Sequence, residues 1–154
     1  MIAQTLAETL SSQKLTLAIA ESCTGGLVSK TITDLPGSSR YFLVSCVTYS
    51  NAAKMSLLGV KEKTLIDHGA VSLETAAEMA QGVRKVAAAD IGISTTGIAG
   101  PDGGSDFKPV GTVCFAVSYQ DTIITKKEIF EGDRNAVREQ ATEYILRLLL
   151  KVIS

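Results

Sequence analysis

The sequence is poor in several residue types that mark particular kinds of protein. It has no Trp, its aromatics amount to 5% of 154 residues, and it holds one His, three Cys and three Pro. Few aromatics alongside plentiful Ala, Gly, Ile, Leu and Val suit helices packed closely on a sheet better than an aromatic-rich sandwich. Cys23, Cys46 and Cys114 are odd in number, widely spaced and without a C-x-x-C pair. That pattern implies neither a disulfide framework nor a zinc knuckle, and it fits reduced thiols in a cytoplasmic setting. No apolar run approaches the roughly 20 residues that span a bilayer, and the acidic, non-apolar N-terminus is unlike a signal peptide. A net charge of −1 gives no broad basic face for nucleic acid or anionic lipid. The lone His68 makes a Ser–His–Asp triad an awkward assumption, because it sits just before a Gly stop.

What is present is regular alternation. Helical spacing of Ile2, Leu6 and Leu10 predicts a helix over 2–13, followed by the apolar strand "LTLAIA" at 15–20. Thr24 is placed to cap a helix beginning at the two glycines and ending at Pro36-Gly37. "YFLVSCVTY" (41–49) reads as a second strand, and a short helix opened by Ser50 or Asn51 stops near Gly59. "KEKTLIDHG" is another short helix. Ser72 opens a long one with a buried stripe of Ala76, Ala80, Val83 and Ala87. "IGISTTG" (91–97) is a third strand, and the Gly- and Pro-rich stretch 98–111 is a long loop. Two strands flanking Gln120-Asp121 form a hairpin, and a helix from Asp133 closes the chain on Val137, Ala141, Ile145, Leu148 and Val152. The order predicts one α/β domain over 1–154. It is a three-layer α/β/α sandwich with a mixed, mostly parallel sheet in which one strand runs antiparallel.

Ligands in such folds gather where loops leave the carboxyl ends of parallel strands. Three unusual segments fall there: "ESCTGG", "TYSNAAK" and "TGIAGPDGGSDFKPVG". Within the first, Ser22 reads either as a helix cap or as a nucleophile exposed on a strand-to-helix turn, beside amides able to hold an oxyanion. Cys23 is the competing nucleophile, and its plainer role is that of a small buried apolar residue. Lys54 reads either as a solvated surface lysine or as a base whose pKa is lowered by burial. Gly97, Gly100, Gly103 and Gly104 either cradle a phosphate or simply let the loop turn. They form neither G-x-G-x-x-G nor a Walker A sequence. Lys108, Arg134 and Arg138 are candidate cations, the two arginines sharing one helix face at i, i+4.

Taken together and in order, "AESCTGG", "VTYSNAAKMSLLGV", "HGAVSLETAAEMAQGVRKVAAAD", "TGIAGPDGGSDFKPVGTV" and "FEGDRNAVREQA" resemble the motifs of the CinA C-terminal domain family, from about residue 2 to residue 150. That span leaves no room for the additional N-terminal domain of longer members. The resemblance implies a three-layer sandwich with a five-stranded mixed sheet, and members of this length are nicotinamide-nucleotide amidases. It further implies the hydrolysis of nicotinamide mononucleotide to nicotinate mononucleotide and ammonia in pyridine-nucleotide salvage. No cofactor or metal is expected, nor any nucleic-acid or membrane partner, and the assembly expected is a homodimer or larger homo-oligomer. Carried onto this sequence, the nucleophile falls on Ser22 and the general base on Lys54, with Tyr49 beside them. Amides near Thr24, Gly25 and Gly26 are expected to meet the oxyanion. Asn51, Gly100, Gly103, Gly104, Lys108 and Arg134 are expected around the substrate, with the phosphate on the glycine-rich loop and Lys108 or Arg134. From a different class, a nucleotide- or partner-binding module linked to competence or DNA damage would retain the pocket without turnover. Such a module has no need of Ser22 and Lys54 together.

Overall fold

The computed structural model describes residues Met1–Ser154. Its elements, in chain order, are α1 (Ile2–Gln13), β1 (Leu17–Glu21), α2 (Leu27–Thr33), β2 (Phe42–Val47), α3 (Asn51–Leu58), α4 (Glu62–His68), α5 (Leu73–Ala87), β3 (Ile91–Gly97), β4 (Thr112–Tyr119), β5 (Thr122–Ile129) and α6 (Arg134–Ile153). A 3-10 turn at Ser38–Arg40 precedes β2. The strands form one sheet in the order β2-β1-β3-β4-β5. β2, β1 and β3 are parallel, and β4 runs antiparallel to both neighbours, as the helix–strand alternation predicts.

Because side chains alternate across a strand, the two faces of this sheet have different chemistry. Leu17, Ile19, Ile91, Ile93, Val113, Phe115 and Val117 point to one side, into a core completed by Leu6 and Leu10 of α1, Val28 and Ile32 of α2, and Val137, Ala141, Ile145 and Leu149 of α6. The opposite face is lined by small residues, Ala18, Ala20, Ser94, Cys114 and Ala116, and carries α5 through Ala76, Met79, Ala80 and Val83. The fit is close enough that Ser94 Oγ donates to the Ala76 carbonyl at 2.6 Å, and a Cβ on Gly92 would lie 2.1 Å from the Ala80 oxygen. The result is the α/β/α sandwich with a five-stranded mixed sheet.

Two helix starts are informative. Ser50 caps α3 by accepting from the Ala53 amide, and Ser72 caps α5 by accepting from Thr75. The expectation that Thr24 caps the second helix is corrected. α2 begins at Leu27 on Gly26, which has φ +103° and no side-chain cap. Its first amides are met instead by Glu21, as described below. Of the residues whose helical spacing was predicted, Ile2, Ala87 and Val152 are half-buried and the rest are buried. No helix is long and apolar enough to cross a membrane.

Candidate active site

β1 lies between β2 and β3, all parallel, so three loops leave the sheet on the same edge around the last residue of β1. This is the point at which strand order reverses, where α/β sheets open a crevice. The turn after β1 is stitched to both neighbours: the Ser22 amide donates to Thr95 O at 3.0 Å, and the Thr48 amide donates to Glu21 O at 2.8 Å. Ser22 is thereby fixed at the edge of the sheet, 7% exposed. It caps no helix.

Lys54 sits on the inward face of α3 with Leu58, one turn apart, and is 1% exposed. Its Nζ lies 2.9 Å from Ser22 Oγ, 2.7 Å from Thr48 O and 3.3 Å from Tyr49 O. Burial lowers its pKa from 10.5 to about 8, because no carboxylate lies close enough to offset the cost of desolvating the ammonium. The three partners orient the amine. When it is neutral, its two N–H groups serve the two carbonyls, and the lone pair that remains points at the Ser22 hydroxyl. A serine is thus hydrogen-bonded to a buried lysine, and a neutral amine in that position is chemically able to accept its proton.

The competing nucleophile has the opposite electrostatics. The Cys23 side chain is buried in the core, and desolvation pushes its thiol up to about 12. His68 Nδ1 lies 3.7 Å from Glu74 at the end of α4, partly exposed, and pairs with no cysteine.

The remaining predicted residues divide into those at the Ser22–Lys54 pair and those engaged elsewhere. Arg134 joins two of the three loops, donating through Nη1 to Gly100 O at 2.7 Å and through Nη2 to the Tyr49 hydroxyl at 2.9 Å. This places Tyr49, Gly100 and Arg134 together beside Lys54. Asn51 is exposed on the first turn of α3. Lys108 turns to the other side, donating to His68 O at 2.7 Å. Gly100 and Gly104 lie against Val110, where a Cβ would meet Val110 Cγ1 at 2.5 Å and Val110 N at 2.8 Å. Gly103 has φ +95°. All three glycines have packing or turn reasons of their own.

The Gly25 amide donates to Ser22 O, and the Gly26 amide to Glu21 Oε1. Both are therefore committed within the fold. The Thr24 hydroxyl is buried between Glu21 Oε1 (2.7 Å) and Thr95 Oγ1 (2.8 Å). In this turn the amides of Cys23 and Thr24 alone donate to no protein acceptor.

Sequence reasoning missed Glu21, which is fully buried. It falls on the same sheet face as Leu17 and Ile19, so its carboxylate meets the start of α2. Oε1 accepts from Gly26 N and Val28 N at 3.1 and 3.0 Å, and Oε2 accepts from Ser29 N at 3.1 Å and from the Ser29 hydroxyl. An anion at orphan helix amides is favourable on both hydrogen-bonding and dipole grounds. The available signal was a single charge ending an otherwise apolar strand. A surface cavity of about 550 Å³, lined by Arg84, Ser118 and Gln120, lies at the opposite edge of the sheet and is unrelated to this constellation.

The chain as a whole is similar to known proteins. The family model described as the CinA C-terminal domain matches residues 1–153. The chain is 52% identical over 149 residues to the nicotinamide-nucleotide amidohydrolase PncC of Escherichia coli K12, covering 96% of this chain and 90% of that protein. It is 55% identical over 140 residues to a competence-damage inducible protein of Clostridioides difficile, of which it spans 34% of the length. A crystal structure of a competence or damage-inducible protein from Enterobacter asburiae superposes with a TM-score of 0.96 at 40% identity, covering 99% of this chain and 96% of that one. The chain belongs to the CinA C-terminal domain family.

Proposed function

We propose that the protein is a nicotinamide-nucleotide amidohydrolase that converts nicotinamide mononucleotide and water to nicotinate mononucleotide and ammonia through an acyl-enzyme on Ser22. The observation that carries this is the 2.9 Å contact between Ser22 Oγ and a buried Lys54 whose pKa is lowered to about 8. The likeness to the E. coli amidohydrolase over nearly the whole of both chains supports the substrate. Neutral Lys54 takes the Ser22 proton as Oγ attacks the carboxamide carbon. The oxyanion falls to the free amides of Cys23 and Thr24, the former belonging to the residue after the nucleophile. As the tetrahedral centre collapses, the C–N bond breaks and ammonia departs with a proton from the Lys54 ammonium, passed on by the Tyr49 hydroxyl. Water, deprotonated by Lys54, then cleaves the ester and restores Ser22.

We assign the phosphate to Arg134, an assignment supported by its exposure at the start of α6 and its reach across to Tyr49 and Gly100. Asn51 and the loop at Gly100, Gly103 and Gly104 frame the rest of the substrate. Lys108 lends its charge from farther off, because its amine is held by His68 O. The reaction asks for no metal, since Lys54 supplies the base. In this reading the enzyme serves pyridine-nucleotide salvage in the cytoplasm as a homodimer or larger assembly. The half-exposed Leu43 and Val47 on the uncharged edge strand β2 support that assembly.

The test is ammonia release from nicotinamide mononucleotide. Wild-type protein is expected to turn over and Ser22→Ala to lose at least about a thousandfold in kcat, as triad and dyad nucleophiles do. Wild-type turnover by Ser22→Ala would remove Ser22 from the mechanism. Tight binding of the nucleotide without any turnover by the wild type would favour a binding module.

A further inference from the structure

The turn that carries Ser22 is gripped from two sides by charges of opposite sign. Glu21 takes the amides of Gly26, Val28 and Ser29. From the other side Arg138, one helical turn after Arg134 on α6, donates through Nε to Cys23 O at 3.1 Å and through Nη2 to Thr24 O at 2.9 Å. Gly25 has φ +57°, and a Cβ there would lie 3.1 Å from Arg138 Nη2, so the glycine admits the guanidinium as well as the turn. Every other backbone amide from Ser22 to Leu27 is consumed inside the fold. Only the N–H groups of Cys23 and Thr24 are left over.

The peptide unit between Cys23 and Thr24 links these observations. Its carbonyl is held by Arg138 Nε, and its N–H is the free Thr24 amide. A cation hydrogen-bonded to the oxygen of an amide draws electron density toward that oxygen, and so makes the N–H a stronger donor. The two-point contact on successive carbonyls also fixes the rotation of that peptide plane. Resting on the proposal that Ser22 is the nucleophile, we infer that Arg138 is a positioning residue of the amidase reaction. It orients and polarises the Cys23–Thr24 peptide so that its N–H stabilises the oxyanion, while itself touching no substrate. Arg134 and Arg138 thus divide the face of α6, the first turned to Tyr49 and Gly100, the second to the back of the nucleophile turn.

The experiment pairs a probe independent of the amide substrate with steady-state kinetics. A fluorophosphonate reacts with an activated serine as Oγ attacks phosphorus, fluoride leaves and the serine proton passes to Lys54; intact mass reports the rate. Arg138→Met is expected to slow labelling of Ser22 and to lower kcat for nicotinamide mononucleotide by roughly 10- to 100-fold. KM is expected to stay within about twofold, because uniform binding is untouched. The midpoint of the pH dependence is expected to remain near 8, since Lys54 keeps its surroundings. Arg138→Lys, which keeps a cation but loses the fork, is expected to recover part of both rates. It also supplies the comparison with wild type if the Met variant does not fold.

Labelling and kcat at wild-type level in Arg138→Met or Arg138→Lys would overturn the inference, as would a higher KM at unchanged kcat. So would a wild-type protein that the probe does not label at Ser22. Normal labelling, slowed by Arg138→Met, in a protein that releases no ammonia would sustain Arg138 and instead sink the choice of substrate.

Discussion

Lys54 is buried where a lysine is costly, and its role predicts a stability signature of its own. Its folded pKa of about 8 lies below the ordinary 10.5. Below about pH 8 the amine is charged in both the folded and unfolded states, so the native protein bears the whole cost of burying the ammonium. Between about 8 and 10.5 the native state sheds its proton first, the unfolded chain holds more protons, and stability rises with pH. Lys54→Met carries no such charge. Chemical denaturation is expected to show the stability of Lys54→Met relative to wild type falling by about 3 kcal/mol across that window, at ~1.4 kcal/mol per pKa unit. A pH-independent difference would mean that the amine is not neutralised by burial. At this level the sequence was legible in part. The segment "TYSNAAK" at the end of the second strand marked Lys54, on the short helix beside Tyr49 and Asn51, and the presence of a single His favoured it as the base. Glu21 and Arg138 were harder to see as parts of the site. Their partners are backbone groups, and which backbone groups stand orphaned at a turn is settled only by folding.

The elements that hold this site do so by close approach of backbones, and the small residues of α5 are where that approach is tightest. Gly82 is packed under the end of α3, and a Cβ there would lie 1.9 Å from the Leu58 oxygen. Leu58 is one turn from Lys54, and the Val60 amide returns to Lys54 O at 3.2 Å. Gly82→Ala must therefore push α3 away from α5 or strain both. The expected result is a destabilisation of about 1–3 kcal/mol by thermal unfolding, the usual range for overpacking, with kcat reduced because Lys54 moves with its helix. Unchanged stability and activity would show that α3 is not held at Gly82. Local sequence gave the type and order of the α-helices and strands: helical spacing marked α1, α5 and α6, apolar or β-branched runs marked the strands, and caps with Gly or Pro stops marked the short helices. It misplaced the start of α2, since a helix capped from a neighbouring strand carries no cap of its own in the local sequence. Thr24 has the chemistry of a cap, but its hydroxyl is drawn to Glu21 and Thr95 instead.

Taken whole, the chain brings together groups that lie far apart in sequence. Ser22 and Lys54 are 32 positions apart, Tyr49 and Arg134 are 85 apart, and Arg138 reaches back 115 positions to Cys23. What unites them is the parallel β2-β1-β3 arrangement, which sends three loops out over one edge. That convergence was legible, because strand–helix alternation implies parallel strands and parallel strands place their carboxyl ends together. The distances were not, because they depend on how far α3 and α6 lean over that edge. A net charge of −1 provides no general field to perturb the site, so the lowered pKa of Lys54 comes from local burial that only the complete fold supplies. The central claim is that this buried lysine is the base for Ser22. It is tested most directly by the pH dependence of kcat/KM for ammonia release from nicotinamide mononucleotide. The expected profile rises with unit slope through a midpoint near 8, where free-enzyme Lys54 loses its proton, and then levels off. A rate that stays flat from acid pH through that midpoint would contradict the assignment of Lys54 as the base.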